Sequence, residues 1–288
     1  MNSEPYLRRI RKEFPSLKFK NVQIPFQGMD HVALILDERW VFRFPLKKKY
    51  KDLFPHEIVL LEKLYRKLPI PIPHYTHIAR DRSFGGYGMI TGDSLQAKTY
   101  AQCSVKSQKR MQQQMAEFLS ELHTLPIPFA KKHRVPTLEK KKEYSRRLRE
   151  HRVYLQQTLK KGERLKANAL FKQAKAHLDD PYKECFVHCD LYVDHIFIDT
   201  KHTKIVGVID FGDRAIYDPS IDFAVLWEYG REFVNNVYAR YTGPKDEQFI
   251  ERSYLRFKLG ILSWLGTARH RKWSNEKEAY DHFKKYFQ

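Results

Sequence analysis

Cysteine is nearly absent. Cys103, Cys185 and Cys189 are few, odd in number and form no CxxC pair. That excludes a disulfide framework, and they read as free thiols in a reducing cytosol. No 18-residue apolar run occurs, so no membrane-spanning helix is expected. The N-terminal MNSEPYLRRIRKEF carries no apolar signal core, so secretion is not expected and a cytoplasmic location is. Acidic residues are short as well: 34 stand against 53 Lys and Arg, a formal net charge of +19. The excess is concentrated in residues 131–177, where 16 basic side chains meet 4 acidic ones. Such a block attracts nucleic acid, an anionic membrane or an acidic partner. It lacks the interleaved aromatics that stack bases, which favours a solvated helical face over nucleic-acid binding.

What is present centres on FVHCDLYVDHIFIDTKHTKIVGVIDFGDRAIYDPSIDF, from Phe186 to Phe223. HIFID (His195–Asp199) and KIVGVIDF (Lys204–Phe211) are apolar, β-branched and aromatic runs around the polar Thr200–Thr203, the pattern of a β-hairpin. Pairing Asp199 with Lys204 sets His195 opposite Val208 and leaves Asp210 one diagonal step away, roughly 7–8 Å. Asp190 lies in the loop entering the hairpin. Three polar groups, Asp190, His195 and Asp210, are thereby predicted at one open end of an apolar ribbon. Phosphoryl transfer needs a carboxylate to accept the substrate hydroxyl proton and ligands that hold magnesium against nucleotide phosphates. Kinases supply them as H-x-D-x-x-x-x-N followed by D-F-G. Here the chain reads His188-x-Asp190-x-x-x-x-His195, then Asp210-Phe211-Gly212-Asp213.

On HxDxxxDH and IDFGDxxIxDPxxDF the chain resembles the aminoglycoside phosphotransferase family of kinase-fold enzymes, most of all the aminoglycoside 2″-phosphotransferases. The resemblance implies an α+β, bilobal protein-kinase-like fold. A small β-sheet lobe would cover residues 1–92, and a larger, mainly helical lobe residues 93–288, with a helical insert at about 136–178. It implies Asp190 as the group that orients and deprotonates the acceptor hydroxyl, with His195 and Asp210 as ligands of Mg2+. His195 stands where most kinases have asparagine, and imidazole is a less usual magnesium ligand than oxygen. Arg43, in WVFRFP, falls at the phosphate-contacting lysine position, and Glu57 at the glutamate that holds it. Arginine keeps the charge but is bulkier and planar. Backbone groups near Gly88 and Ile90 would border the purine, with Ile209 on its other face. His188 would brace the catalytic loop, and Asp222 would support it from the segment after Asp218-Pro219, which fits an N-cap with proline at N1.

The remaining elements follow from pattern. YLRRIRKEF fits an amphipathic helix with Tyr6, Leu7, Ile10 and Phe14 on one side. VQIPF, HVALIL and WVFRFP read as strands, separated by the loop Gln27–Asp30, with its single glycine Gly28, and the turn Asp37-Glu38-Arg39. EIVLLEKLYRKL reads as a helix ended by Pro69, Pro71 and Pro73. Gly85–Gly92 reads as a strand leading to the interlobe linker. Gln108–Leu125 is a helix whose stripe Met111, Met115, Phe118, Leu119 and Leu122 is core, with His123 structural. Basic helices are expected from about Leu138 to Leu178, and a helix near the C-terminus carries Leu255, Leu259, Leu262 and Leu265 inward.

The function implied is magnesium-dependent transfer of the γ-phosphate of ATP or GTP to a hydroxyl of a small molecule, by a monomer. An aminoglycoside is the first acceptor implied. The 2″-phosphotransferases carry a run of acids after DPxxDF, where this chain has only LWEYGREF, leaving Glu228 and Glu232 as candidate substrate contacts. A second reading is therefore a kinase for another hydroxylated metabolite or antibiotic. A third is a catalytically weak kinase-fold protein that binds an anion or RNA. Asp190, His195 and Asp210 occurring together argue against an inactive fold.

Overall fold

The computed structural model describes residues 3–24, 30–156, 158–271 and 275–287. Gln27, Gly28 and Met29 of the loop Gln27–Asp30 lie outside them. Helix α1 (Glu4–Glu13) leads into a five-stranded antiparallel sheet of order β1-β2-β3-β5-β4. Its strands are β1 (Val22–Gln23), β2 (His31–Leu36), β3 (Trp40–Pro45), β4 (Tyr75–Ile78) and β5 (Gly85–Gly88). The two-residue alternation of β2 and β3 sends Val32, Leu34, Leu36, Phe42 and Phe44 to the face that α1 covers with Leu7 and Ile10. Val41 and Arg43 consequently point to the opposite face. The turn between β2 and β3 holds Asp37 and Glu38 at φ of 50° and 52°, the left-handed pair that suits the twist of a tight hairpin.

Helix α2 (Lys48–Leu64) starts nine residues before Glu57, earlier than expected. Pro55 sits inside it. A proline removes one N–H and its bond to the residue four before, and here that residue, Lys51, is exposed to water. Phe54, Glu57, Ile58 and Leu61 share the buried face of α2, so Glu57 is carried into the core by the apolar stripe around it.

Between β5 and β6 (Asp93–Ser94) the chain leaves the first sheet and joins a second, of order β6-β8-β9. Gly92, at φ 147°, is required at this crossing: a Cβ there would lie 2.2 Å from the Ile198 carbonyl oxygen. Helices α3 (Ala97–Gln102) and α4 (Val105–His123) follow, the latter capped by the Ser104 hydroxyl, which accepts from Ser107 N–H. Its predicted stripe, Met111, Met115, Phe118, Leu119 and Leu122, is fully buried. Next come α5 (Ile127–Lys132) and the basic pair α6 (Lys140–Tyr154) and α7 (Lys161–Ala176), both of which pack on α9 (Phe249–Arg271). Strand β7 (Cys185–Val187) leads into the central loop. The hairpin consists of β8 (Ile196–Ile198) and β9 (Ile205–Val208), and β10 (Ala215–Tyr217) returns to pair with β7. Helices α8 (Arg231–Arg240), α9 and α10 (Glu276–Tyr286) complete the larger part, with Leu255, Leu259, Leu262 and Leu265 of α9 buried as expected.

Two local expectations need correction. Ile198 pairs with Ile205 as the turn implies, but Phe197 pairs with Gly207 and Ile196 with Val208. Val206 is the extra residue of a β-bulge, so His195 faces Ile209, whose N–H donates to its carbonyl at 2.9 Å, rather than Val208. Asp218 caps with its side chain as expected, accepting from Ser220 N–H at 3.0 Å. It opens only a short 3-10 turn, Pro219–Ile221, and not an α-helix.

Candidate active site

The bulge and a left-handed backbone together position Asp210. Its φ of 64° turns the chain out of β9, a conformation aspartate tolerates better than most residues. The Asp210 side chain accepts from Gly212 N–H at 3.4 Å and meets Arg43 from β3 at 2.6 Å. This contact bridges the two sheets. Arg43 is buried and also reaches Glu57 at 3.2 Å, while its Nη2 lies 3.3 Å from the His31 ring. Glu57 accepts further bonds from Tyr75 hydroxyl at 3.2 Å and from Arg214 at 3.1 Å. A buried carboxylate is thus shared by two guanidinium groups, Arg43 and Arg214.

Arg214 was not foreseen. It is 1 % exposed, and its Nε and Nη2 have no hydrogen-bond partner among the described residues. Burial pushes its guanidinium below the usual arginine range, and Glu57 opposes that only in part. The one available signal was a basic residue between FGD and the apolar run AIY.

Asp190, His195 and Asp210 come together as expected. One ligand atom from each lies within 4.8 Å of the others, the one such group of His, Cys, Asp and Glu among the described residues. The His195 ring lies 3.6 Å from Asp190 Oδ2 through Nδ1 and 3.9 Å from Asp210 Oδ2 through Nε2. Nδ1 also meets the Asp190 carbonyl oxygen at 2.6 Å. A carbonyl only accepts, so Nδ1 donates and the Nε2 lone pair is left facing Asp210. Two carboxylates and an imidazole lone pair crowd one point, an arrangement that a divalent cation relieves. The charges respond accordingly. Burial, then the Asp210 carboxylate, pushes Asp190 up to about 7, against the pull of His195. Asp210 itself is held below the usual carboxylate range: burial pushes it up, but the Arg43 guanidinium beside it outweighs that push.

The loop beneath this cluster is held by its backbone. Asp222 accepts from His188 N–H at 2.7 Å, Cys189 N–H at 2.8 Å and His123 Nε2 at 3.0 Å. Tyr241 hydroxyl donates to His123 Nδ1 at 2.8 Å, so His123 is engaged on both sides within the core. His188 donates from Nε2 to the Ile209 carbonyl at 3.0 Å and accepts Asp190 N–H at 3.3 Å. It thereby ties the catalytic loop to the end of β9. Burial drops its pKa to about 4, and it remains a neutral connector at ordinary pH.

Gly88 and Ile90 lie on the segment that joins the first sheet to the second. Gly88 pairs with Trp40, and the following Met89 N–H donates to the Arg39 carbonyl at 2.7 Å. Ile90 lies over Gly207, where a Cβ would be 2.4 Å from its Cγ2. The bulged register puts Ile209, Gly207 and Phe197 on one face of the ribbon. Phe197 was missed, since a one-residue error in register exchanges faces.

Glu228 and Glu232 separate. Glu228 lines the pocket beside the catalytic loop and is held by His282 at 2.8 Å. Glu232 is exposed on the first turn of α8 and does not line that pocket.

Residues 27–249 match the phosphotransferase enzyme family. Among solved structures, a GDP and kanamycin complex of the aminoglycoside 2″-phosphotransferase APH(2″)-IIIa is similar at 26% identity and a TM-score of 0.86, covering 98% of each chain. A macrolide 2′-phosphotransferase of type I shares the fold at 19% identity and a TM-score of 0.71, over 98% of this chain and 96% of that one. A streptomycin–ATP complex of APH(2″)-IIa does so at 19% and 0.70, over 96% and 95%. The family match runs from before β2 to beyond β10 and takes in Asp190, His195 and Asp210, and this chain belongs to the phosphotransferase enzyme family.

Proposed function

We propose that the chain is a magnesium-dependent kinase that moves the γ-phosphoryl group of a nucleoside triphosphate to a hydroxyl of a small molecule. The observation that carries this reading is the meeting of Asp190, His195 and Asp210 within 4.8 Å, beneath an Arg43 already bound to Asp210. Asp190 accepts the proton of the attacking hydroxyl, and its raised pKa suits a general base near neutral pH. Arg43 offers its guanidinium to phosphate oxygens in exchange for Asp210, and Glu57 fixes its direction. His195 Nε2 and Asp210 would hold Mg2+, which would offset the negative charge of the phosphates. Ile209 and Phe197 form an apolar floor for the base, and the hinge at Gly88 to Ile90 supplies its edge contacts. His188 and Asp222 keep the Asp190 backbone in place. One similar structure holds GDP and another ATP, so both triphosphates are donors to test.

Two acceptor classes remain from the sequence, an aminoglycoside and another hydroxylated compound. The pocket next to the Asp190 loop favours the second, because its one acid, Glu228, is already paired with His282, and Arg147 and Arg256 also line it.

A thermal-shift series with magnesium plus ATP or GTP, followed by phosphate transfer to an acceptor panel, tests the kinase reading. Stabilisation that needs both magnesium and nucleotide is expected. Its absence removes the reading. Asp210→Asn is expected to bring the magnesium-dependent part of that shift near zero. An unchanged magnesium titration would take Asp210 out of the ligand set.

A further inference from the structure

One peptide group connects Arg214 to the Asp210 carboxylate. Arg214 Nη1 donates to the Phe211 carbonyl at 3.0 Å and to Glu57 Oε2 at 3.1 Å. The Phe211 carbonyl and the Gly212 N–H are the two ends of a single planar unit. That N–H donates to Asp210 Oδ1 at 3.4 Å. Holding the carbonyl end therefore sets the direction of the donor that Asp210 accepts from. On the far side of Arg214, Glu57 accepts from Arg43 Nη1 through its other oxygen at 3.2 Å, and Arg43 Nη2 returns to Asp210 Oδ1 at 2.6 Å. Asp210, the peptide between Phe211 and Gly212, Arg214, Glu57 and Arg43 form a closed ring of contacts. Tyr50 and Lys49 also reach this turn, meeting Asp213 at 2.9 and 3.1 Å. The Asp213 side chain is 41 % exposed, so water competes for those contacts. Arg214 and Glu57 are buried, and their side of the turn is shielded from water.

We propose that Arg214 is a positioning residue for the magnesium site: through the peptide between Phe211 and Gly212 it keeps the Asp210 carboxylate in place once Arg43 has turned to phosphate. This rests on the kinase reading and extends it to a residue that acts only through its neighbours. When phosphate takes the Arg43 guanidinium, Asp210 loses the shorter of its two hydrogen bonds. The Gly212 N–H then holds the carboxylate, and Arg214 holds that peptide. The contribution of Arg214 is therefore greatest with nucleotide bound and metal arriving. One nitrogen makes both of its bonds, while Nε and Nη2 have no partner among the described residues. The role calls for a single cationic donor at this point and not for the planar fork of a guanidinium.

The test uses the full chain and two variants, Arg214→Met and Arg214→Lys. Methionine fills much of the space without a donor. Lysine brings one ammonium with three donors, on a side chain one bond shorter. Binding of ATP or GTP is measured by calorimetry twice, in chelator and in rising magnesium, and urea denaturation follows stability. Arg214→Met is expected to raise the magnesium concentration for half-saturation roughly tenfold, the lower end for groups that orient a metal ligand, with affinity in chelator within about twofold of the parent. Arg214→Lys should recover most of that loss. A purely structural role would weaken both binding measurements together, in step with the loss of stability, and that result overturns the proposal. A lysine variant that binds magnesium no better than the methionine one overturns it too. A parent chain whose nucleotide binding ignores magnesium removes the kinase reading and this role with it. A magnesium-responsive parent with an unaltered Arg214→Met removes the role of Arg214 alone.

Discussion

Asp190→Asn is expected to lower kcat by about 10²–10⁴-fold, the range for loss of a positioned general base, while magnesium–nucleotide stabilisation persists. Asparagine keeps the shape and the backbone bonds to His188 but cannot take the acceptor proton. The measurement pairs single-turnover phosphate transfer with the thermal shift of the same preparation. Turnover within a factor of a few of the parent would remove Asp190 from its assigned role. A parallel loss of nucleotide binding would instead mean that the loop itself had collapsed.

The second large effect is on stability. Glu57→Gln is expected to cost about 3–5 kcal/mol, the range for stripping one partner from a buried ion pair. Glu57 is 2 % exposed, Arg43 5 % and Arg214 1 %, so neither guanidinium can recruit water in its place. Glutamine keeps the volume and can still accept from Tyr75, which isolates the charge as the variable. Arg43 retains Asp210, and Arg214 retains only the Phe211 carbonyl at 3.0 Å. Most of the penalty therefore belongs to Arg214. A double variant with Arg214→Met should recover more than about 1 kcal/mol of it, beyond the usual limit of additivity. Urea denaturation of the parent, both single variants and the pair decides the matter. A Glu57→Gln loss below about 1 kcal/mol would mean that the arginines find other counter-charges.

Much of this was readable in advance, and the divisions are physical. Helices with a repeating apolar stripe, such as α4 with Met111, Met115 and Phe118, declare themselves because one face must be buried. The Asp190, His195 and Asp210 constellation was readable because its spacing is local, spread over one loop and one hairpin. Pairings between distant segments were not readable. Strand β7 and strand β10 meet across a long stretch of chain, with no turn to announce the register. The bulge at Val206 left no mark either, since valine in a run of β-branched residues looks like any strand position. Arg214 escaped because nothing in its neighbours' identities reveals that Glu57, far back in the chain, faces two cations. Helix α2 ran past Pro55 because the carbonyl left without a donor faces solvent, a fact of burial and not of sequence.

Arg43 and Asp210 lie 2.6 Å apart, so the two groups that the kinase reading assigns to phosphate and metal are already each other's partner. On that reading an incoming phosphate competes with the Asp210 carboxylate for the guanidinium. Replacing Asp210 with asparagine dissolves that internal competitor. Measured in chelator, with no divalent ion present, the Asp210→Asn chain should hold ATP or GTP more tightly than the parent, although it is the poorer enzyme.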